Sequence, residues 1–445
     1  MLATQSLPAS RHSLLDQIQN ARQRTDDLFS LVKSDALYDR PIPERHRIIF
    51  YIGHLEAFDW NLLSARVLGL KSFHPEYDRL FAFGIDPVGG GLPTDQPTDW
   101  PSVSRVREYV RNIRSSLDDR LEADLFDSTL PQSDGFPLET LLTVAIEHRL
   151  MHAETLAYML HQLPLDRKVS QSDPPVATNT PVIASSVEIP AGRVTLGLSR
   201  SSGIFGWDNE YESHDVEVSA FNIDRYKTTN GEYLNFIADG GYENRAFWTD
   251  SGDADDWNWK SQHDISHPAF WRRDGDRWLY RTMFEDIPLP LDWPVYVSLA
   301  EARAFAKWAG KSLPTEAEWQ RAAFGGATSD PSVQTERNEG KFGNFNFVRW
   351  NPVPVNLPRD NGFGVCGMLG NGWEWTSTPF GPFTGFTPFP FYRGYSADFF
   401  DGKHFVMKGG SARTAACMLR PTFRNWFQAH YQFIYTGFRC VTRGA

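Results

Sequence analysis

The chain has 445 residues, a length that accommodates two or three domains of ordinary size. Its 44 Lys and Arg against 55 Asp and Glu give a net charge of −11, and no five-residue basic run is present to track nucleic-acid phosphates. Mean hydropathy is −0.42, and no uninterrupted apolar stretch is long enough to cross a bilayer. We therefore expect a multidomain protein with neither a nucleic-acid nor a membrane partner.

Two further features of the composition bear on location and fold. Three cysteines are too few for a disulfide framework, and the N-terminal residues lack the apolar core of a secretory signal, so the expected location is cytoplasmic. Aromatic residues make up 14% of the chain, and many of them follow residue 190. That excess requires a structural explanation.

The first part of the chain is predicted to be helical. A Gly/Pro-rich loop over residues 84–100 separates the second of four amphipathic stretches from the third. Four helices of this length predict a four-helix bundle over residues 10–165, an architecture whose facing helices commonly hold metal ions. The four stretches are residues 13–32, 45–68, 103–121 and 138–163.

The pattern changes after a polar, proline-bearing segment at residues 166–186, which is predicted to be an interdomain linker. From residue 187 to 445, short alternating segments such as VEIPAGRVTLG and VEVSAFNIDRY indicate strands between long irregular stretches. Helices are predicted only at 230–239, at 298–308 and from Thr315, where TEAE forms a capping box. A loop-rich α+β domain of this kind has few ladder hydrogen bonds, so large aromatic side chains are expected to fill its interior.

Three histidines form the main candidate site. In HRLMHAE, His148 and His152 lie four residues apart, so both leave one helix face a turn apart, as two ligands of one metal must. Apolar neighbours at helical spacing predict that this face points to the bundle core. His54, in YIGHLEAFDW on the second helix, offers a third imidazole. Histidines at this spacing also occur as ordinary surface or core residues, which is the competing interpretation.

Ligand type alone does not identify the metal. Three histidines suit zinc, whereas non-haem iron more often uses two histidines and a carboxylate. Glu154 lies roughly 200° around the helix from His152, so it is not an obvious fourth ligand. An equally good interpretation of Glu154 is a solvated or capping glutamate.

Ordered motifs in the second half resemble a known family. They include IPAGRVTLG, VYVSLAEARAFAKWAGKSLPTEAEWQRAAFGG, GVCGMLGNGWEWTSTPF, KGGSART, LRPTFRNWF and TGFRCV. They resemble the formylglycine-generating-enzyme (sulfatase-modifying-factor) domain, a modified C-type-lectin fold, and the HxxxHxE helix resembles the DinB-like domain. A DinB-like bundle ahead of such a domain is similar to the EgtB-type sulfoxide synthases of ergothioneine biosynthesis.

The resemblance implies a mononuclear Fe(II) enzyme that uses O₂ to join a thiol sulfur to the imidazole ring of hercynine, leaving the sulfur as a sulfoxide. Matching the motifs residue by residue makes His54, His148 and His152 the iron ligands. Iron rather than zinc is then required, because zinc has no redox chemistry. The implied partners are small molecules, namely hercynine and a thiol or selenol donor.

The resemblance also implies substrate contacts in the second domain. Asn425 and Trp426 of FRNWF match positions that line the hercynine site, where an aromatic face can attract a trimethylammonium group. The competing interpretation of Trp426 is a core tryptophan. Trp373, Glu374 and Trp375 in GNGWEW are expected to be structural residues. The alternative is that Asn371 and Glu374 join a structural calcium (Ca2+) site, as in some relatives.

Two departures from the family pattern concern the substrates. Where members that use γ-glutamylcysteine have WDxPxRR, this chain has WFQAHYQ, with Phe427 and Ala429 among the replacements. Because the charged side chains that pair with the dipeptide are absent, free cysteine is the expected donor, and a selenoneine-type synthase that takes a seleno-sugar is the alternative. Met151 stands where those members have a glutamine that contacts the imidazole substrate.

A third departure concerns proton or electron delivery. The tyrosine assigned to that role in the family aligns with Phe383 or Phe386, and phenylalanine cannot perform it. Another tyrosine would have to approach from elsewhere; the candidates are Tyr392, Tyr395, Tyr431 and Tyr435.

Alternatives from other functional classes remain. The chain is also compatible with a zinc DinB-type thiol transferase or with a noncatalytic lectin-like binding module. Peptide-cysteine oxidation is discounted, because Cys366, Cys417 and Cys440 do not reproduce the reactive pair of formylglycine-generating enzymes, and Cys440 is expected to be buried and inert.

Overall fold

The computed structural model describes residues 11–82, 92–123, 135–176, 181–249, 255–325 and 343–444. The chain divides into two compact units, Met1–Gln171 and Ser172–Ala445. The division falls inside the segment that the sequence predicts as a linker. No helix within the described residues has the length and apolar character needed to span a membrane.

The first unit contains the four helices predicted from periodicity, which are confirmed, and a short fifth one that was not predicted. Helix α1 packs against α5, and α2 packs against α3, α4 and α5. Residues 84–91 of the predicted loop lie outside the described residues. The helices are α1 (Arg11–Ser30), α2 (Ile48–Leu63, continued by a π-helical turn over Ser64–Leu68), α3 (Pro75–Leu80), α4 (Val103–Ala123) and α5 (Leu138–Gln162).

Helices α2 and α5 form the centre of this unit. Nearly all of their side chains are buried, whereas α4 buries only a narrow stripe of its residues at helical spacing. A helix that is buried on nearly every side can carry polar groups only if they are paired or coordinate a metal. The buried histidines of α2 and α5 therefore need a specific explanation. The buried stripe of α4 is Val106, Tyr109, Ile113, Leu117 and Leu121.

The second unit holds short strands in small sheets. The described strands are β1 (Ser186–Ile189), β2 (Gly192–Leu196), β3 (His214–Val218), β4 (Phe221–Asp224), β5 (Trp271–Asp274), β6 (Arg277–Arg281), β7 (Asp286–Pro288), β8 (Trp373–Pro379), β9 (His404–Lys408), β10 (Asn425–Gln428), β11 (Thr436–Gly437) and β12 (Val441–Arg443). They form sheets in the orders β1-β4-β12, β10-β9-β8-β11, β2-β3 and β5-β6-β7.

Three predicted helices of this unit are confirmed, and each begins with a capping box. They are α6 (Asn230–Ala238) after Thr229, α8 (Leu299–Trp308) after Ser298, and α9 (Glu316–Phe324) after Thr315. A further helix, α7 (Asp255–Gln262), contradicts the prediction of only three. Its sequence DDWNWKSQ has no apolar repeat, and it is held instead by side-chain contacts such as the 2.7 Å hydrogen bond between Asp256 and His430.

The aromatic excess is explained mainly by this unit. Buried indoles occupy the space between short strands and irregular segments, and Trp375 also donates its Nε1–H to the carbonyl of Val297 at 2.9 Å. Large rings thus supply the packing that long ladders supply in a regular sheet. The fully buried tryptophans are Trp207, Trp271, Trp293, Trp319 and Trp375.

The buried carboxylate of Glu374 contacts side chains from three separate segments of the second unit, at Arg439, Lys227 and Trp319. Glu374 on β8 accepts hydrogen bonds from Arg439 at 2.7 and 2.9 Å, from Lys227 at 2.5 Å and from the indole of Trp319 at 3.0 Å. Burial raises the pKa of Glu374, but the nearby Arg439 and Lys227 outweigh it and hold that pKa below its ordinary value. The carboxylate is therefore ionised and fully paired.

The Glu374→Gln substitution tests whether the paired carboxylate is needed for the stability of the second unit. We expect it to lower the free energy of unfolding by about 3–5 kcal/mol, because it leaves two buried cations without their counter-ion. Urea unfolding followed by tryptophan fluorescence measures the change. Glu217→Gln is the control, since Glu217 and its partner Arg193 form an exposed pair. Equal stability of the Glu374 and Glu217 variants would contradict the assignment.

Candidate metal centre

Three imidazoles meet in the interior of the helical unit. The Nε2 atom of His152 lies 3.3 Å from Nε2 of His54 and 3.2 Å from Nε2 of His148. His54 comes from α2, and the other two come from consecutive turns of α5. Among the described residues, this is the one group of three or more His, Cys, Asp or Glu side chains whose ligand atoms all lie within 4.8 Å of one another.

Burial keeps these imidazoles neutral. All three are at most 4% exposed. Burial lowers the pKa of His54 to about 4 and lowers the pKa values of His148 and His152 well below the ordinary histidine value. Each ring therefore presents an unprotonated nitrogen at neutral pH, which is the form that binds a metal.

A backbone carbonyl selects the tautomer of His54. Its Nδ1–H donates to the carbonyl oxygen of Phe81 at 2.7 Å, so Nε2 is left as the lone-pair nitrogen facing the other two rings. Phe81 follows α3, and its ring approaches α2 at Gly53 so closely that a Cβ there would lie 2.6 Å from the ring. The glycine before His54 therefore allows the contact that orients the histidine.

Aromatic rings enclose the centre. Phe58 stacks on His148 with ring centroids 3.4 Å apart and an interplanar angle of 11°, and Phe50 stacks on His54 at 4.8 Å. These rings restrict the imidazoles to one orientation and exclude water from their faces. They also lower the local dielectric, which disfavours protonated histidine.

A buried ion network lies behind the centre. Arg149, which follows His148, pairs with Glu56 at 3.0 Å and with Asp59 at 2.6 Å, both on α2. Arg114 of α4 also reaches Glu56, at 2.8 Å. Burial raises the pKa of Glu56, but Arg149 and Arg114 bring it down to about 2. The network joins α2 to α5 beside the histidines, and we did not predict it, although an arginine between two inward-facing histidines was a usable signal.

The donor set fits a single metal ion. Three neutral imidazole nitrogens on two helices converge on one point and would leave further coordination positions of a bound ion open. Nitrogen donors of this kind serve both zinc and iron, so the geometry by itself does not choose between them. The prediction that His54, His148 and His152 assemble is consistent with these distances.

Two neighbours on α5 were also candidates. Met151 is half-buried, and Glu154 is 8% exposed in the middle of the helix. The interpretation of Glu154 as a solvated or capping residue is therefore wrong, because a buried mid-helix side chain neither meets solvent nor caps an end. Glu154 does not belong to the cluster of possible ligands.

The second unit places the other candidates on β10. Asn425, Trp426 and Phe427 pair with Met407, Val406 and Phe405 of β9, so Trp426 points to the opposite face from its two neighbours. The side chain of Asn425 turns along the strand, because its Oδ1 accepts from the backbone N–H of Trp426 at 2.9 Å. All three side chains are half-buried, unlike the fully buried tryptophans of the unit.

Aromatic residues surround Trp426. The ring of Phe380 stacks on it with centroids 4.2 Å apart and an interplanar angle of 5°. Tyr395 meets it edge-on at 5.3 Å, and Phe399 lies tilted at 5.6 Å. One face of the indole is therefore covered by Phe380. Phe380 and Phe399 were not predicted as site residues, since only the fold brings their segment to β10.

The four tyrosine candidates differ in whether they lie next to the β10 residues Trp426 and Phe427. Tyr395 contacts Trp426, and Tyr431 stacks on Phe427 at 5.2 Å. Tyr392 contacts Tyr395 and Trp207, whereas Tyr435 is buried against Phe270 and Tyr296. Of the two aligned phenylalanines, Phe383 lies 4.1 Å from the guanidinium of Arg424, and Phe386 packs against Phe400 at 5.0 Å.

The suggested calcium ligands do not fit that role. Both oxygens of Glu374 are occupied by the cations Arg439 and Lys227. The Oδ1 atom of Asn371 accepts from the backbone N–H of Val353 at 2.8 Å and from Asn344 at 3.2 Å. A calcium ion needs oxygen ligands that are free to coordinate it, and a neighbouring arginine opposes it.

The cysteines do not form a reactive pair. All three are free, and only Cys417 is exposed. Burial raises the pKa of Cys366 to about 11 and that of Cys440 well above its ordinary value. Both buried thiols are therefore protonated at neutral pH and unreactive, as predicted for Cys440.

Removing one imidazole tests the metal centre. We expect His152→Ala to lose stoichiometric metal after anaerobic reconstitution with Fe(II), because two nitrogen ligands bind far more weakly than three. Metal content per chain, measured by mass spectrometry of the desalted protein, gives the result. His263→Ala is the control, since His263 is exposed and outside the cluster. Full metal content in the His152 variant would show that the cluster is not a metal site.

Comparison with known proteins identifies the domains. Residues 171–444 match the model of the sulfatase-modifying factor enzyme 1-like domain, and residues 17–156 match that of the DinB superfamily. The chain is 31% identical to the hercynine oxygenase of Mycolicibacterium smegmatis, covering 97% of this chain and 98% of the relative. It is 34% identical to the hercynine oxygenase of Mycobacterium tuberculosis over 76% and 77% of the two chains.

A fungal relative gives a similar result. Ergothioneine biosynthesis protein 1 of Neurospora crassa is 27% identical to the chain, and the match covers 92% of this chain and 55% of the relative. The family resemblance that the ordered motifs predicted is thereby confirmed. The chain belongs to the EgtB-type family of the hercynine oxygenases, enzymes of the oxidoreductase class that combine a DinB-type domain with a sulfatase-modifying-factor domain.

Proposed function

We propose that this protein is an O₂-dependent sulfoxide synthase of ergothioneine biosynthesis. Hercynine, a thiol and O₂ give a hercynyl sulfoxide and water. A carbon–sulfur bond replaces one C–H and one S–H bond, one oxygen atom goes to sulfur, and the other leaves as water with the two hydrogens. Forming the bond and oxidising the sulfur each supply two electrons, which together reduce O₂. The observation that carries this proposal is the buried cluster of three neutral imidazoles in a chain of this family.

We propose Fe(II) as the metal held by His54, His148 and His152. When bound, it supplies the redox chemistry with O₂ that zinc lacks. The protein holds the three Nε2 atoms in place: Phe81 sets the tautomer of His54, and Phe58 holds the ring of His148. Neutral ligands leave the positive charge of the ion uncompensated, which favours an anionic thiolate as its partner.

We propose that the helical unit is a four-helix bundle of the DinB type. The packing of α1 on α5 and of α2 on α4 and α5 supports this arrangement. A bundle of this kind places its metal site among side chains of facing helices, as the origin of the ligands in α2 and α5 requires. The three free cysteines support the further proposal that the protein works in the reducing cytoplasm.

The trimethylammonium group of hercynine is proposed to bind at Trp426. Phe380 covers one face of the indole, so the opposite face is the one that can attract the cation. The amide of Asn425, whose oxygen already accepts from the backbone, has N–H groups that can donate to the substrate carboxylate. Met151, which directly precedes His152 on α5, and Glu154, three residues after Met151, are also proposed as contacts to the substrate.

Free cysteine is the proposed donor. In the segment that follows Trp426, Phe427 stacks on Tyr431, and His430 is already engaged by Asp256 at 2.7 Å and by the ring of Trp259. Few groups remain there to bind the extra charges of a dipeptide. A seleno-sugar donor is the second candidate, favoured by the same absence of charge.

Turnover with competing donors tests the function. We expect the Fe(II)-loaded protein under air to convert hercynine and cysteine to hercynylcysteine sulfoxide faster than it uses γ-glutamylcysteine, as measured by mass spectrometry of the products. Omission of O₂ is the control. A preference for the seleno-sugar would replace the donor but keep the reaction class. Tightly held zinc with O₂-independent thiol transfer, or no metal at all, would overturn the proposal.

Replacing Trp426 tests the proposed cation site. Trp426→Leu should raise the KM for hercynine by about 30-fold, because a desolvated cation–π contact contributes about 2 kcal/mol. Its kcat should stay nearly unchanged, because the contact is present before and during the reaction. Trp308→Leu is the matched control: Trp308 is also half-buried, with its indole bonded to Asp239. An unchanged KM in the Trp426 variant would place the cation elsewhere.

A further inference from the structure

The aromatic rings of Phe380, Tyr395 and Phe399 form a wall around Trp426, and all three belong to one long irregular connection. Residues 380–403 join β8 to the antiparallel β9, and within them regular structure is confined to a 3₁₀ turn at Ala397–Phe399. This connection supplies Phe380, Tyr395 and Phe399, all of which contact the indole. Connections of this length are uncommon in compact domains and are usually functional. The position of its rings has to be set by contacts outside the strands.

Ser396, Asp208 and Asn209 form a buried hydrogen-bonded cluster, here called the polar knot, which holds the connection in place near Tyr395. Ser396 donates its hydroxyl hydrogen to Oδ1 of Asp208, and Asn209 donates from Nδ2 to the Ser396 oxygen at 3.0 Å. The three side chains are at most 1% exposed. Burial raises the pKa of Asp208 to about 6, against which the hydrogen bond from Ser396 lowers it. Backbone hydrogen bonds from Phe389 and Asn209 also lower this pKa, so Ser396 is one of three donors that favour the ionised carboxylate.

The knot is continuous with the aromatic wall. Trp207, which precedes Asp208, stacks on Tyr395, which precedes Ser396, with ring centroids 4.0 Å apart and an interplanar angle of 25°. Tyr395 in turn meets Trp426 edge-on. Two neighbouring residues on each segment thus pair side by side, one pair polar and one aromatic. The polar pair and the aromatic pair therefore hold the same two segments together.

Arg424 anchors the beginning of the same connection. Its guanidinium pairs with Glu316 at 2.8 Å and donates to the carbonyl oxygens of Gly381 at 3.0 Å and Asn209 at 3.3 Å. It also lies 5.1 Å from the centre of the Phe380 ring. With this anchor at one end, the buried hydrogen bonds of Ser396 hold the other side of the wall beside Tyr395.

We infer that Ser396 is a positioning residue: by holding the connection to Asp208 and Asn209, it sets Tyr395 against Trp426 and so shapes the wall of the quaternary-ammonium site. The inference deepens the proposed function and rests on it for the identity of the ligand. The position of the wall itself does not depend on which reaction the protein catalyses. The two can therefore fail separately.

The first measurement observes the wall directly. In protein labelled with 5-fluorotryptophan, the Trp426 resonance is identified by its loss in Trp426→Phe. We expect Ser396→Ala to shift and broaden the resonance of Trp426. Tyr242→Phe is the matched control, because it also deletes one oxygen that donates to a buried carboxylate, Glu301 at 2.6 Å, away from the wall. An unchanged Trp426 resonance in Ser396→Ala would overturn the inference.

The second measurement uses the catalysed reaction. We expect Ser396→Ala to raise the KM for hercynine about tenfold, with kcat and iron content unchanged, since a mispositioned wall weakens binding in both ground and transition states. The Asp208→Asn variant, which keeps an oxygen acceptor for Ser396, should have a KM close to that of the wild type. The Tyr242→Phe variant should have a lower Tm but an unchanged KM. A fall in kcat alone, or the same KM rise in Tyr242→Phe, would show a merely structural role.

Two outcomes need separate treatment. If the Ser396 variant does not fold, Asn209→Ala removes the other hydrogen bond of the knot and is expected to move the Trp426 resonance in the same way; no movement would overturn the inference. If the wild-type protein does not turn over hercynine, the proposed function fails. The fluorine spectra of the iron-loaded variants then still decide whether Ser396 positions the wall.

Discussion

The helical unit is organised by the need to keep three imidazoles neutral and convergent in an apolar interior. Their Nε2 atoms lie 3.2 and 3.3 Å apart, a separation that protonated rings would not tolerate away from water. Burial on α2 and α5 meets the first need. The second requires rigid rotamers, and these come from stacked phenylalanines and from Arg149, whose ion pairs join the two helices beside the rings. Buried imidazoles and buried ion pairs are costly to place in a helix interior, so their presence on α2 and α5 indicates a site rather than ordinary packing.

The second unit has to stabilise irregular backbone, and it too relies on buried aromatic rings and buried ion pairs. It has short strands and long irregular segments, so few of its backbone groups lie in ladders. Stability comes mainly from fully buried indoles. Buried ions that are completely paired, such as Glu374 with Arg439 and Lys227, join the irregular segments to one another. Such pairs contribute little net stability, but breaking one leaves an uncompensated charge. They therefore fix which irregular segments meet, and they do so more selectively than apolar contacts.

The success of sequence reasoning follows the range of the interactions involved. The long helices, their histidine spacing and the capping boxes at Thr229, Ser298 and Thr315 depend on residues a few positions apart, so they could be predicted. Helix α7 has no such local signal, because its fixed contacts are with His430, far along the chain. The same holds for Phe380 and Phe399 at Trp426. The Arg149 network had a local signal, the position of Arg149 between two inward-facing histidines, but its partners Glu56 and Asp59 are far away in the sequence. The interpretation of Glu154 as a solvated or capping residue failed, and the pairing of Glu374 with two cations was not foreseen, because burial and carboxylate pairing are set by tertiary contacts.

The hydrogen bond between His54 and the carbonyl of Phe81 has a consequence for the evolution of this site. In many metal centres the partner that orients a histidine is a carboxylate side chain, which one substitution can remove. Here the partner belongs to the backbone, so every residue type at position 81 would present it. What must be preserved is the close approach at Gly53, a steric condition rather than a chemical one. The orientation of His54 is thus insensitive to the residue type at position 81, but it is sensitive to substitution of Gly53, which is not one of the three histidines.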